Sequence, residues 1–473
     1  MTVQRPLRRP QQSKLLTAPH RRGDRKAAFF HFILRIYYFR TMKIKQLPII
    51  LSAMLLAAAA AGCHRPEAGT GNLEGRVTYS SGEGIEGVSV IYGDSAIYTT
   101  ETGAYVFEGL PDGLQGISFR KEGHYSILQQ VHIPDGGTEH CDVQMELIMS
   151  GWAAGAEDSG YGTILHTSDA GATWVRQGNT MTVPATRLTD VCAVDNMTCW
   201  IAGEPDMLRG STVILHTQDG GETWANQGSS LRDIPPVTIA SIMSCDGDTA
   251  WAVTADTCLI LKTTDAGRNW TLCHSSSSIQ KFTGIATMDG YRVWCCGAGY
   301  DGSAAIEYTE DGGRTWTSLT VSGTYSRFTP TAVNVSPDPV IYLAGDNSTG
   351  IICSADGGAT WELAAGAGVS LYCIDIYNGT CVWTGGYGGH LFMTSDAFFT
   401  NRDLLPAESQ FPDGTITAVA MLRDGLKGAL SVQSSSGATG SILYTTDGGS
   451  TWSYSSLPFN FSIESLDFSG GYN

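Results

Sequence analysis

The stretch "HTSDAGATW" occupies residues 166–174, and near-copies of it return along the chain. They read "HTQDGGETW" at 216–224, "KTTDAGRNW" at 262–270, "YTEDGGRTW" at 308–316, "CSADGGATW" at 353–361 and "YTTDGGSTW" at 444–452. A further unit, "LFMTSDAFFT" at 391–400, keeps Ser395 and Asp396 but has neither the Gly nor the Trp. The recurring acids are Asp169, Asp219, Asp265, Asp311, Asp356, Asp396 and Asp447, spaced by 50, 46, 46, 45, 40 and 51 residues. A period in the forties with strand-like content throughout predicts propeller blades of four strands each. An Asp side chain can accept hydrogen bonds from N–H groups of its own turn. A Gly two residues on can take φ > 0 without steric cost. An acid repeated at seven equivalent positions is therefore a turn device, and no catalytic centre needs seven of it.

The tryptophans agree. All eleven fall on two repeat positions. Trp174, Trp224, Trp270, Trp316, Trp361 and Trp452 close boxes, while Trp152, Trp200, Trp251, Trp294 and Trp383 sit in the second strand of a unit, with Tyr342 at the same place in another. Rings repeated this way are expected to bury apolar area between neighbouring blades. One full unit reads "LTDVCAV", "CWIAGE", "TVILHT", "TWANQG", giving strands A to D, with the box as the C-to-D turn. The first box unit, at 151–174, lacks a strand A, and "SIESLDFS" at 462–469 is a strand A with nothing after it. The two halves complete one blade, and closure removes the exposed edges of an open fan. The fold expected is all-β: a small N-terminal β-sandwich over 71–148, then a seven-bladed β-propeller over 149–473.

The pattern "S/T-x-D-x-G-x-T-W" resembles the Asp-box, or bacterial neuraminidase repeat, families. The whole unit, with "GWAAG" at 151–155 and "GTILHTSDAGATW" at 162–174, is most similar to the photosystem II stability/assembly factor family. That resemblance implies a seven-bladed propeller acting as an assembly scaffold. Upstream, "EGRVTYSSGEGIEGVSVIYG" at 74–93 and "YTTETGAYVFEGLPDG" at 98–113 resemble the carboxypeptidase regulatory-like, or transthyretin-like, domain family, which implies an accessory module without an active site. Within it "GEGIEG" fits G-x-G-x-x-G, but a strand follows and not a helix, so it reads as a turn and not a dinucleotide site.

In a propeller the D-to-A and B-to-C loops share the face where strand A enters, and the boxes lie on the other. The position before strand A reads Arg187, Thr238, Lys281, Arg327, Gly368, Thr415 and Ser462. Arg187, Lys281 and Arg327 are thus a candidate basic patch for an acidic group on a protein or glycan partner. His166 and His216 share a repeat position in strand C and read as packed side chains before they read as a metal pair. No G-x-S-x-G or H-E-x-x-H occurs, and no cofactor or metal site is indicated. Sialidases also carry Asp boxes, but they resemble six-bladed folds with an early "R-I-P" signature that this chain lacks. The expected role is non-catalytic recognition or scaffolding, leaning away from enzyme activity. The competing class is a glycoside hydrolase, sialidase-like or another Asp-box type, or a lyase.

Residues 1–41 carry ten Lys/Arg and one acid and read as an early-start extension. "MKIKQLPIILSAMLLAAAAAGC" then gives a basic, an apolar and a small-residue region over 42–62 before Cys63. This is a signal-peptide pattern, and its "AAGC" end resembles the lipobox of bacterial lipoproteins. That resemblance implies a lipid on Cys63, a short linker over 63–70 and a place in the bacterial cell envelope, outer membrane above all. From Cys63 on there are 17 Lys/Arg and 45 Asp/Glu, a net of −28. Such a surface excludes nucleic acid as a partner and leaves the lipid, not charge, to hold a membrane. Eleven cysteines follow Cys63. In an exported protein they favour disulfides, and Cys192–Cys199 and Cys373–Cys381 are the candidate cross-strand pairs.

Overall fold

The computed structural model describes residues 69–473 apart from 80–81, 122–123, 322–324, 326, 337–339, 347–349, 366–367, 378–380, 396–401, 404–413, 423, 435–438, 459–461 and 470–473. The expected leader, Cys63 and Asp396 lie outside the described residues. Two four-stranded sheets form between Thr70 and Gln144. They share one core, in which Leu73, Val77 and Phe107 of one sheet meet Val90, Phe119 and Ile133 of the other. "GEGIEG" is followed by the strand Ser89–Tyr92, as the turn reading requires.

Seven further four-stranded antiparallel sheets, among the described residues, follow one another. Their inner strands are Leu188–Ala193, Ile239–Ser244, Ile279–Thr287, Thr329–Val335, Leu371–Tyr377, Gly414–Met421 and Ile463–Phe468. Each packs beside the next, and the last packs beside the first. The final strand closes the ring: Ile463–Phe468 pairs antiparallel with Gly151–Asp158, Leu466 facing Ala153 and Phe468 facing Gly151. Blade 1 is therefore built from both ends of the propeller, and blades 2 to 7 run in chain order.

The boxes work as self-contained turns. The Asp169 carboxylate accepts the Thr173 N–H at 2.8 Å and the Thr173 and Thr167 hydroxyls at 2.7 and 2.8 Å, while Thr167 Oγ1 accepts the Gly171 N–H at 3.0 Å. The same bonds recur around Asp219, Asp311, Asp356 and Asp447. Around Asp265, Asn269 takes the place of the second Thr. These donors favour the ionised acid. Led by the Thr315 and Thr360 hydroxyls, they hold Asp311 and Asp356 down at about 2. Gly313 needs both its freedoms: φ is +89°, and an added Cβ would stand 2.6 Å from the Trp251 ring of the preceding blade.

That contact explains the tryptophan pattern. The second-strand ring of one blade meets the box Trp of the next edge-on. Trp200–Trp270, Trp251–Trp316 and Trp383–Trp452 have centroids 5.7, 5.9 and 6.2 Å apart at 87°, 77° and 78°. Trp152, Trp200, Trp251 and Trp383 are all but fully buried. Edge-to-face geometry adds about 0.5–1.5 kcal/mol to what burial alone contributes.

Neither expected disulfide forms. Cys192 stands opposite Trp200, and Cys199 opposite Ala193. One register step separates them, so they point to opposite faces of the sheet. Cys373 faces Gly385 and Cys381 faces Tyr377, four residues along the same strand, which is beyond the reach of an S–S bond. Cys192 instead bonds the Ser244 backbone of blade 3 through its thiol.

Candidate functional site

Every inner strand carries a β-bulge at one register, opposite its second strand. The extra residues are Thr189, Ala240, Thr283, Thr331, Tyr372, Thr417 and Glu464. All seven line one axial cavity of about 210 Å³. Four of them are threonines whose hydroxyls donate to the neighbouring blade: Thr189 to Ile239 O at 2.7 Å, Thr283 to Pro330 O at 2.9 Å, Thr331 to Leu371 O at 2.6 Å and Thr417 to Ile463 O at 2.8 Å. A bulge re-aims a side chain, and here it turns a hydroxyl sideways onto the next inner strand.

Three carboxylates deeper in the channel do similar work. Asp190 accepts the Ser241 hydroxyl and Ile242 N–H of blade 3 and the Ser465 hydroxyl of blade 1. Asp467 accepts the Ala193 N–H at 2.8 Å, and Asp375 the Met421 N–H at 2.8 Å. Confinement between the blades raises all three carboxyls. Asp375 is pushed up to about 6 by desolvation, and the Asp375 and Asp190 charges add to the desolvation that raises Asp467.

The sign follows from linkage. A carboxyl whose folded pKa exceeds its unfolded value favours the folded state below the unfolded pKa and loses that advantage as pH rises through the folded one. For Asp375 the window runs from its ordinary 3.8 to about 6. The box acids run the other way and lose stability only as pH falls from near 3.8 toward about 2. Asn334 already occupies the position of Asp375 in blade 5 and bonds its own strand through Oδ1. Asp375→Asn is therefore expected to stabilise the protein at neutral pH by roughly 1–3 kcal/mol and to flatten the stability profile between pH about 4 and 6. Urea melts at a series of pH values measure both.

The three residues of the expected basic patch do not share one repeat position. The bulges put Arg187, Thr238, Lys281, Thr329, Ser370, Thr415 and Ser462 at equivalent positions, so Arg327 and Gly368 each fall two residues upstream. The extra loop residues before these two strands hid the shift. Arg187 is held by Glu464 at 2.7 Å and faces Glu204 at 3.6 Å, which offsets its charge. Lys281 and Arg327 are exposed, on blades 4 and 5. The two histidines pack against tryptophans. His216 stacks on Trp200 at 3.7 Å, and burial lowers it to about 4. His166 lies tilted on Trp152 and bonds Ser150.

The loops around the mouth expose large side chains. Met181 lies in a D-to-A linker, and Met207, Leu208, Tyr300 and Tyr387 lie in B-to-C loops, each more than 60% exposed. On the box face Met197, Tyr291 and Leu426 reach at most 52%.

Comparison with known proteins places the repeat. Residues 121–280 match the family model described as photosynthesis system II assembly factor YCF48. That span is about a third of the chain and takes in whole blades of the Asp-box type. Among solved structures, YCF48 bound to a D1 peptide is 20% identical over 63% of this chain and 89% of its own, with a TM-score of 0.48. YCF48 from Cyanidioschyzon merolae is 20% identical over 56% and 84%, at 0.42. An ancestral GH74 enzyme is 12% identical over 64% of this chain and 40% of its own, at 0.43. No curated protein matches the sequence.

Proposed function

We propose that this chain is a non-catalytic, lipid-anchored envelope protein whose propeller recognises a protein partner on the face where the inner strands enter. The observation that carries it is that, among the described residues of the propeller, the most exposed Tyr, Met and Leu side chains all lie on the mouth loops. Tyr and Met are enriched at protein interfaces, and loops on a rigid ring position them well. The family model that matches residues 121–280 is that of an assembly factor, which agrees with a scaffold role. The channel carboxylates support recognition over glycoside hydrolysis, because neighbouring blades and Arg187 already occupy them. A polar glycan remains a narrower fit to apolar loop tips. The N-terminal sheets read as a spacer of the carboxypeptidase regulatory-like type, between the lipid on Cys63 and the ring.

A photo-crosslinking residue placed at Tyr300 or Tyr387, and as controls at Tyr291 or Leu426, tests this in native membranes. The expected result is a discrete protein adduct from the first two positions only, on a chain that Cys63→Ser releases from the membrane. Adducts from the box face alone, or glycan adducts alone, would contradict the proposal.

A further inference from the structure

The B-to-C loop of blade 2, residues 204–213, is built differently from its equivalents. It is longer than the two-residue link between Asp158 and Tyr161 in blade 1 and the four residues between Thr254 and Leu259 in blade 3. Its tip is nonetheless fixed. Asp206, only 5% exposed, accepts the Leu208 and Arg209 N–H groups at 3.0 Å each and the Arg209 guanidinium at 3.0 Å. The Asp206 carbonyl accepts the Gly210 N–H at 2.7 Å, and Asp206 and Ser211 pair through their backbones. This scaffold holds Met207 and Leu208 at 79% and 91% exposure. Both stand largely in solvent, so folding gains little from their apolar character. Adjacent apolar side chains on a pre-ordered tip bind with little ordering cost.

Beside the tip lies a cavity of about 590 Å³, walled by Arg209, Leu231, Arg232, Asp233, Pro235 and Pro236. Arg209 spends one of its five N–H donors on Asp206. Arg232 is exposed and makes no ion pair among the described residues. Asp233 is the one acid on the wall. Asp206 offsets the Arg209 charge, so Arg232 is the guanidinium of this wall that makes no ion pair among the described residues.

We infer that this loop and cavity form one docking surface for an extended protein segment that pairs an acidic side chain with apolar ones. The carboxylate pairs with Arg232, and the apolar residues pack on Met207 and Leu208. A membrane fits less well, because two apolar residues are a small anchor and the acidic body is repelled by anionic headgroups. A second copy docking face to face would set Arg232 against Arg232. The inference rests on the recognition role proposed above and narrows it to one sector of the face.

The test screens the full chain against short synthetic peptides in which acidic and apolar positions are permuted, then titrates the tightest binders. Peptides with an acid beside apolar residues are expected to bind, and their Lys-for-Glu versions are not. Leu208→Ser and Arg232→Glu should each weaken binding by about tenfold or more, with Leu426→Ser neutral and all melting points unchanged. Binding that ignores both loop variants would overturn this inference and leave the wider face reading intact. No peptide binding, binding that needs no acid, Leu208-dependent capture of phosphatidylglycerol vesicles, or self-association lost in Leu208→Ser would also overturn it.

Discussion

Deleting residues 462–473 is expected to abolish cooperative folding of the propeller. The segment carries Ile463, Leu466 and Phe468, each at most 4% exposed. Burying three such side chains contributes about 5–9 kcal/mol. The same strand accepts the Thr417 hydroxyl from blade 7, and through Ser465 and Asp467 it bonds Asp190 and Ala193 of blade 2. Its loss strips Gly151–Asp158 of its inner partner and opens two blade interfaces at once. The total rivals the whole stability of a domain, about 5–15 kcal/mol. The truncated chain should show no sharp thermal transition, an enlarged hydrodynamic radius and ready proteolysis. A sharp melt within a few degrees of the intact protein would contradict this.

The second large effect is expected at the tryptophans. Trp251 is fully buried, lies edge-on to Trp316 and has Lys262 4.3 Å above its ring. Its indole N–H donates to Gly290 O at 2.9 Å. Trp251→Ala removes burial, ring contact and hydrogen bond together, at a cost of about 3–5 kcal/mol. Trp316 is less buried, and Trp316→Ala should cost less. A double-mutant cycle isolates their contact, expected at about 0.5–1.5 kcal/mol. Strict additivity would mean that the rings fill space without coupling the blades. Chemical denaturation of the four proteins gives the number.

The architecture was legible because the box repeats the same chemistry at one register. An acid, a left-handed Gly and a Trp peg can be counted in the sequence, and the incomplete first unit asks for the final strand. The sites were less legible. Bulges leave no signature in one sequence, so Arg327 seemed to align with Arg187 and Lys281 until the pairing showed it two residues early. The disulfides failed because spacing across a turn reveals neither the face nor the register that a cysteine takes. A signal for the channel acids was present. Asp190, Asp375 and Asp467 each put an aspartate into an inner strand, in "LTDVCAV", "LYCIDIY" and "SIESLDFS", where the other inner strands have none. Glu307 gave another. It takes a position that other blades fill with Leu165, Leu215, Leu261, Ile352, Phe392 and Leu443. There it is 1% exposed, with Ser278 at 2.7 Å and His274 of blade 3 at 2.6 Å. Such exceptions mark polar clasps between blades, but their partners lie one repeat away and emerge only when the blades are set side by side.

Ring closure carries the rest, and amide hydrogen exchange across the closing seam tests it most directly. In the intact protein the amides of 463–468 are predicted to exchange as slowly as those of 151–158 and 188–193, all through one global opening. Exchange at 463–468 well ahead of its neighbours, as at a frayed chain end, would contradict a closed seven-bladed ring.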